Sequence, residues 1–160
     1  MLKSLALAAT AALFATTASA VPATPEAVEA LLASMDTTDI VTETVDDTIV
    51  RIDATRQGYN FTVRLMDCTE GTNCVSSMIF ATFNMDARPT LTDFTKVNEY
   101  NDSYPFGRAF LIGDTETDGF LVGVDYAVSL ADENAFGAGE VNLYFVILNS
   151  FIAHMQETDW

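Results

Sequence analysis

At Asp39 the spacing of apolar side chains switches from a helical to a strand period, and β-type sequence then continues, with the cysteine loop as its main interruption, as far as Phe83. Before the switch, Val28, Leu31, Leu32 and Met35 fall at i, i+3, i+4 and i+7, the single stripe of an amphipathic helix. Thr24-Pro25-Glu26 opens that helix with a capping hydroxyl, a proline at the first helical position and an acid in the first turn. Beyond the switch, β-branched residues dominate Ile40 to Val45 and Thr48 to Ala54, and Asp46-Asp47 between them predicts a hairpin. Tyr59, Phe61, Val63 and Leu65 alternate with Asn60, Thr62, Arg64 and Met66, so this strand has one buried face and one largely wet face. Val75 to Phe83 is apolar on both faces and reads as a central strand.

Arg88-Pro89-Thr90 breaks this pattern. Leu91, Phe94 and Val97 then recur every third residue, which predicts a short helix packed on the sheet. Phe106 to Ile112 and Phe120 to Val128 form two further strands, joined by the acidic turn Gly113 to Gly119. An acidic loop from Ala131 to Gly139 leads into a last helix with Val141, Tyr144, Phe145, Leu148, Phe151, Ile152 and Met155 on one face. Leu143, Val146 and Ile147 broaden that face, through either deeper burial or a dimer contact. The predicted order is α-β-β-β-β-α-β-β-α, an α+β fold with an antiparallel sheet of about five to six strands flanked by helices. No internal repeat or low-complexity tract interrupts it.

Met1-Leu2-Lys3, an apolar run to Thr17, and Ala18-Ser19-Ala20 have the form of a secretory signal peptide cut between Ala20 and Val21. Residues 1–20 are therefore expected to be removed and 21–160 to work as one domain, periplasmic or secreted, with no membrane span in the mature chain. The leader holds Lys3 and no acid, so residues 21–160 carry six basic and 23 acidic side chains, a formal charge of −17. Charge of that sign repels phosphate backbones and disfavours nucleic acid as a partner. Cys68 and Cys74 flank a Gly/Asn-containing turn, and in an exported protein they read as a disulfide closing a hairpin tip. Their spacing is not that of a redox or zinc pair.

Motifs that carry chemistry are few. His154 is the one histidine and no nucleophile elbow accompanies it, so no catalytic residue is assigned and no cofactor is expected. Asp114, Glu116, Asp118, Gly119 and Asp125 approach the calcium-loop pattern, but flanking strands favour a hairpin turn with Asp-Gly at positive φ; weak cation binding at Asp114, Glu116 and Asp118 is the other reading. With 23 acids in the chain, a carboxylate-dependent hydrolase is a second alternative, although nothing in the sequence pairs two acids across a cleft.

Cys68 to Cys74 followed by Val75-Ser-Ser-Met-Ile-Phe-Ala-Thr-Phe83, then Val97-Asn98-Glu-Tyr100-Asn101, then Phe106-Gly-Arg-Ala-Phe-Leu111 with its Asp-Gly hairpin, resembles the YbjN-like proteins. These carry the name of bacterial sensory transduction regulators. The resemblance runs from Thr24 to Met155, with Tyr100 where a tryptophan is usual. It implies a fold like that of type III secretion chaperones, frequent pairing into dimers, and no catalytic residues. The combined expectation is an exported, non-enzymatic, chaperone-like or regulatory module that binds a protein partner or forms a homodimer. Asn98 and Asn101 are expected to brace the junction between the middle helix and the next strand.

Overall fold

Thr24 caps the first helix: its Oγ1 accepts from the Ala27 amide at 3.4 Å, and Pro25 takes the first helical position. The computed structural model describes residues 20–113, 119–130 and 135–157. In chain order its elements are β1 (Ala20–Pro22), α1 (Pro25–Ala33), β2 (Thr38–Asp46), β3 (Ile49–Arg56), β4 (Tyr59–Met66), β5 (Ser76–Met85), α2 (Leu91–Ser103), β6 (Arg108–Gly113), β7 (Phe120–Ser129), β8 (Ala135–Gly137) and α3 (Ala138–Gln156). Strands β2 to β7 form a six-stranded sheet in the order β2-β3-β4-β5-β7-β6, antiparallel throughout.

The α+β class and the antiparallel six-stranded sheet follow from the sequence, and two short strands correct the order. Ala20–Pro22 pairs with Ala135–Gly137 as a separate two-stranded ribbon, so part of the expected 131–139 loop is β8 and α3 starts at Ala138. Three-residue strands are too short for alternation to betray them. The expected central strand is central, with β4 on one side and β7 on the other.

Turn chemistry fixes the register. Thr48 donates from its amide and its hydroxyl to Asp46 Oδ1, both at 2.7 Å, which closes the β2–β3 turn. Gln57 and Gly58, both at positive φ, make a two-residue β3–β4 turn that sets Arg56 opposite Tyr59. The Cys68–Cys74 disulfide closes the β4–β5 tip. Backbone hydrogen bonds tie that tip to its surroundings: Cys74 N–H to the Ala23 carbonyl, Gly71 N–H to Asp47, and Cys68 N–H to Thr48.

All three helices pack on one face. In β3, β4, β5 and β7, Ile52, Val63, Ile79 and Val124 share the phase that meets the helices and are fully buried. Phe61 meets Phe145 of α3 edge to face at 5.2 Å, and Phe83 stacks on Phe151 at 6.3 Å. On β2, Thr42 is in the same phase and donates to Glu29 of α1. The α2 stripe is corrected: Leu91 and Phe94 are exposed, whereas Val97 and Tyr100 are buried. At 100° per residue a three-residue spacing drifts by about 60° each step, so only part of a period-three row can face one partner. In α3, Ile147 is buried and Val146 stays exposed.

Helices α2 and α3 are tied reciprocally at their ends. His154 Nε2 donates to the Lys96 carbonyl at 2.9 Å, and Lys96 Nζ donates to the Met155 and Glu157 carbonyls, satisfying the end of α3. No helix among the described residues is long and apolar enough to cross a membrane.

Replacing both cysteines by serine, or reducing the bridge, is expected to lower stability by about 2 kcal/mol, because a short closed loop no longer restricts the unfolded chain; urea unfolding with and without reductant measures it. A second expectation concerns alkali. Tyr100 is fully buried, and burial, with Tyr104 nearby, pushes its phenol up from 10.0 to about 12; burial raises Tyr144 as well. A raised folded pKa means the stabilisation is intact below pH 10 and is lost as pH rises through about 12. Absorbance titration of tyrosinate should therefore find the slowest two phenols ionising together with loss of the fold.

Candidate functional site

Among the described residues no helix lies on the second face of the sheet. Its residues are those in the opposite phase: Arg51, Asp53 and Thr55 on β3, Asn60, Thr62 and Arg64 on β4, Met78, Phe80 and Thr82 on β5, Asp125 on β7, and Arg108, Phe110 and Ile112 on β6. The face divides in two. Toward β3 and β4 it is polar and internally bonded: Asp53 accepts from Thr62 at 2.6 Å and pairs with Arg51 at 2.7 Å, and Thr55 donates to Asn60. Toward β6 it is apolar, with Met78, Phe80, Phe110 and Ile112 forming a floor under two arginines.

Local structure explains that floor. A Cβ on Gly123 would come within 2.7 Å of the Phe110 ring and 2.5 Å of the Ala81 carbonyl oxygen, so the missing side chain lets the ring lie across the strand. Gly107 sits at φ +81°, where a Cβ would strike Ile147 at 2.5 Å; its bareness lets the chain turn beneath α3 and start β6 at Arg108.

The two arginines are held differently. Arg108 makes two hydrogen bonds to Asp125 Oδ2, at 2.5 and 3.2 Å, and Asp125 is 5% exposed while the Arg108 side chain is 68% exposed. The carboxylate is covered and the guanidinium remains reachable. Arg64 lies with its guanidinium 5.1 Å from the centre of the Phe80 ring, and among the described residues no carboxylate pairs with it. Hollows of about 470 Å³ and 420 Å³ meet along this floor, sharing Met78, Arg108 and Asp125, and the first shares Phe80 and Thr82 with a third hollow of about 510 Å³ on the polar side.

Arg51, Arg64 and Arg108 are three of the six basic side chains of residues 21–160. Half of the basic side chains of residues 21–160 thus stand on the sheet face that no helix among the described residues covers.

The structure separates the residues singled out in the sequence. Asn101 lies at the α2–β6 junction, where its amide nitrogen donates to the Ala109 carbonyl at 3.1 Å and its oxygen accepts from the Ala109 amide at 2.8 Å. A side chain thus fills a strand's place at the free edge of β6. Asn98, three residues earlier, is exposed and makes no such bond. Tyr100 is buried between Tyr104, at 4.5 Å, and Phe151, at 5.5 Å, and its hydroxyl donates to the Ile147 carbonyl. Ala20 and Val21 lie in β1. Asp114, Glu116 and Asp118 lie outside the described residues, and Asp125 stands on β7 against Arg108. Among the described residues no group of three or more His, Cys, Asp or Glu side chains is placed to hold a metal ion.

The open-face set was missed in the sequence because strand alternation tells which residues share a face, not whether a second layer covers it. The signal lay in Val75 to Phe83, apolar on both faces, combined with only three predicted helices.

Asn101→Ala is expected to cost about 1–3 kcal/mol, since it strips both partners from the Ala109 backbone, whereas Asn98→Ala should stay within about 0.5 kcal/mol of the parent; thermal melts of the two variants check the difference.

A family model described as "Putative bacterial sensory transduction regulator", YbjN, matches residues 24–139. Among solved structures, the chain is similar to "Crystal structure of YbjN, a putative transcription regulator from E. coli", with 14% identity, a TM-score of 0.48, and coverage of 81% of this chain and 92% of that one. No curated protein matches the sequence.

Proposed function

Because the chain belongs to the YbjN family, we propose that it is a non-catalytic regulatory or chaperone-like module, exported after its leader is cut between Ala20 and Val21, that holds a protein partner on its uncovered sheet face. One observation carries this reading: the apolar floor of Met78, Phe80, Phe110 and Ile112 lies on the face that all three helices leave open. Apolar side chains gathered there cost solvation in the free chain and gain it back when a second surface covers them.

The acids on that face support a binding role over a hydrolytic one. Asp53 is engaged by Arg51 and Thr62, Asp125 by Arg108, and Asp39, which lines the same hollow as Asp53, accepts from Thr38, so each carboxylate is already hydrogen-bonded to a neighbour on the protein. The single histidine spends Nε2 on the Lys96 carbonyl. Export is supported by the leader pattern and is consistent with a bridge between Cys68 and Cys74.

The test is expression of the full chain in a bacterium with a photo-crosslinking residue at position 80, 110 or 146. Crosslinks to a second protein are expected from 80 and 110. Crosslinks confined to 146, on the outer side of α3, would transfer the docking surface to the helix and overturn the reading. In the same cells, the periplasmic product should begin at Val21 with no free thiol; an intact chain in the cytosol with both thiols free would overturn export.

A further inference from the structure

Resting on the reading of the uncovered face as a docking surface, we infer that its occupant is a polypeptide segment of another protein that carries both carboxylates and apolar side chains, with Arg64 and Arg108 taking the carboxylates and Phe80 and Phe110 the apolar groups. Size argues for a polypeptide. The three joined hollows run from β3 to β6, across five neighbouring strands, and at about 4.8 Å per strand this is a trough about 19 Å long. A segment of about six extended residues, or about thirteen helical ones, spans that length. A small molecule would fill one hollow and leave the others wet.

Charge argues for carboxylates. Arg64 has an aromatic ring beneath it and, among the described residues, no acid in an ion pair with it, so its charge is available to a ligand. Arg108 is already fixed by the buried Asp125, which orients its exposed guanidinium at no further entropic cost. Planar guanidinium groups bordering apolar rings suit a carboxylate whose neighbours are apolar. A second copy of this chain is the poorer occupant, since two bodies of formal charge −17 repel at long range and a face-to-face pair would bring arginines against arginines.

The experiment uses the full chain as processed by the cell and three fluorescent twelve-residue peptides: alternating Glu and Leu, alternating Glu and Ser, and alternating Lys and Leu. Anisotropy should detect binding of the Glu-Leu peptide alone, weakened by salt and weakened about tenfold by Arg64→Glu, a substitution at a side chain that lies over the Phe80 ring. Phe110→Asp should abolish it, with circular dichroism confirming that both variants fold. If the Lys-Leu peptide binds as well and Phe110→Asp removes it, the face receives polypeptides but not acidic ones, and this inference falls while the docking reading stands. If no peptide binds and crosslinks from position 80 are absent as well, both fall. Sedimentation as a dimer that Arg64→Glu dissociates would give the trough to a second copy and overturn the inference.

Discussion

Covering a six-stranded sheet takes about as much helix as this chain has. Strands about 4.8 Å apart give a sheet about 24 Å wide, and helices about 10 Å across need three to cover it. Helix α1 lies over β2 and β3, α3 over β5 and β7, and α2 at the β6 side, so the three are consumed by one face. The core then lies in a single layer between Val50, Ile52, Val63, Ile79 and Val124 on the sheet and Leu32, Tyr144, Leu148 and Phe151 on the helices. Among the described residues the opposite face has no helix against it, and its character follows from that shortage. Where the opposite-phase residues are polar, as at Asp53, Thr55 and Asn60, water is a sufficient covering. At Met78, Phe80, Phe110 and Ile112 it is not, and local choice and global fold disagree, as they do at functional surfaces.

Electrostatics separates the same two regions. A surplus of sixteen acids keeps such a chain dispersed in solution and repels most other acidic surfaces at long range. Close to the sheet the balance changes, because Asp125 is paired with Arg108, and Arg64, above Phe80, has no ion-pair partner among the described residues. An acidic ligand approaching from most directions meets repulsion; at this face it meets two guanidinium groups on an apolar floor. Selectivity of this kind comes from what the remainder of the surface turns away as much as from what the trough attracts.

Legibility in the sequence tracked the physics of each element. Alternation at Tyr59 to Leu65 and the Thr24-Pro25-Glu26 cap gave β4 and α1 their places, because one-sided burial and orphan amides leave direct marks on residue choice. The ribbon of β1 and β8 left none, since three residues are shorter than any usable period. In α2 the apolar row Leu91, Phe94, Val97 misled because Leu91 and Phe94 are exposed beside the sheet edge, and the true anchor is Tyr100, stacked on Tyr104 and set edge-on to Phe151. The open face was half legible: Arg64 and the two-faced apolar strand were visible, but which of the two faces the helices would take is decided by tertiary packing.

Edge strand β6 joins the family signature to the trough. One side of β6 is paired with β7, and on its other side Asn101 supplies both a donor and an acceptor to Ala109. Residues 108 and 110 flank that anchor in the chain and point to the opposite face of the sheet from Ala109, whose side chain is buried. The amide of Asn101 therefore fixes the pleat at the place where Arg108 and Phe110 leave the backbone. A side chain hydrogen-bonded to backbone 8 positions away in sequence thus braces the strand from which two other side chains project. In this fold the asparagine of the α2–β6 junction shapes the open face from beyond it: loosen it, and the guanidinium over Asp125 and the ring over Gly123 lose their common support.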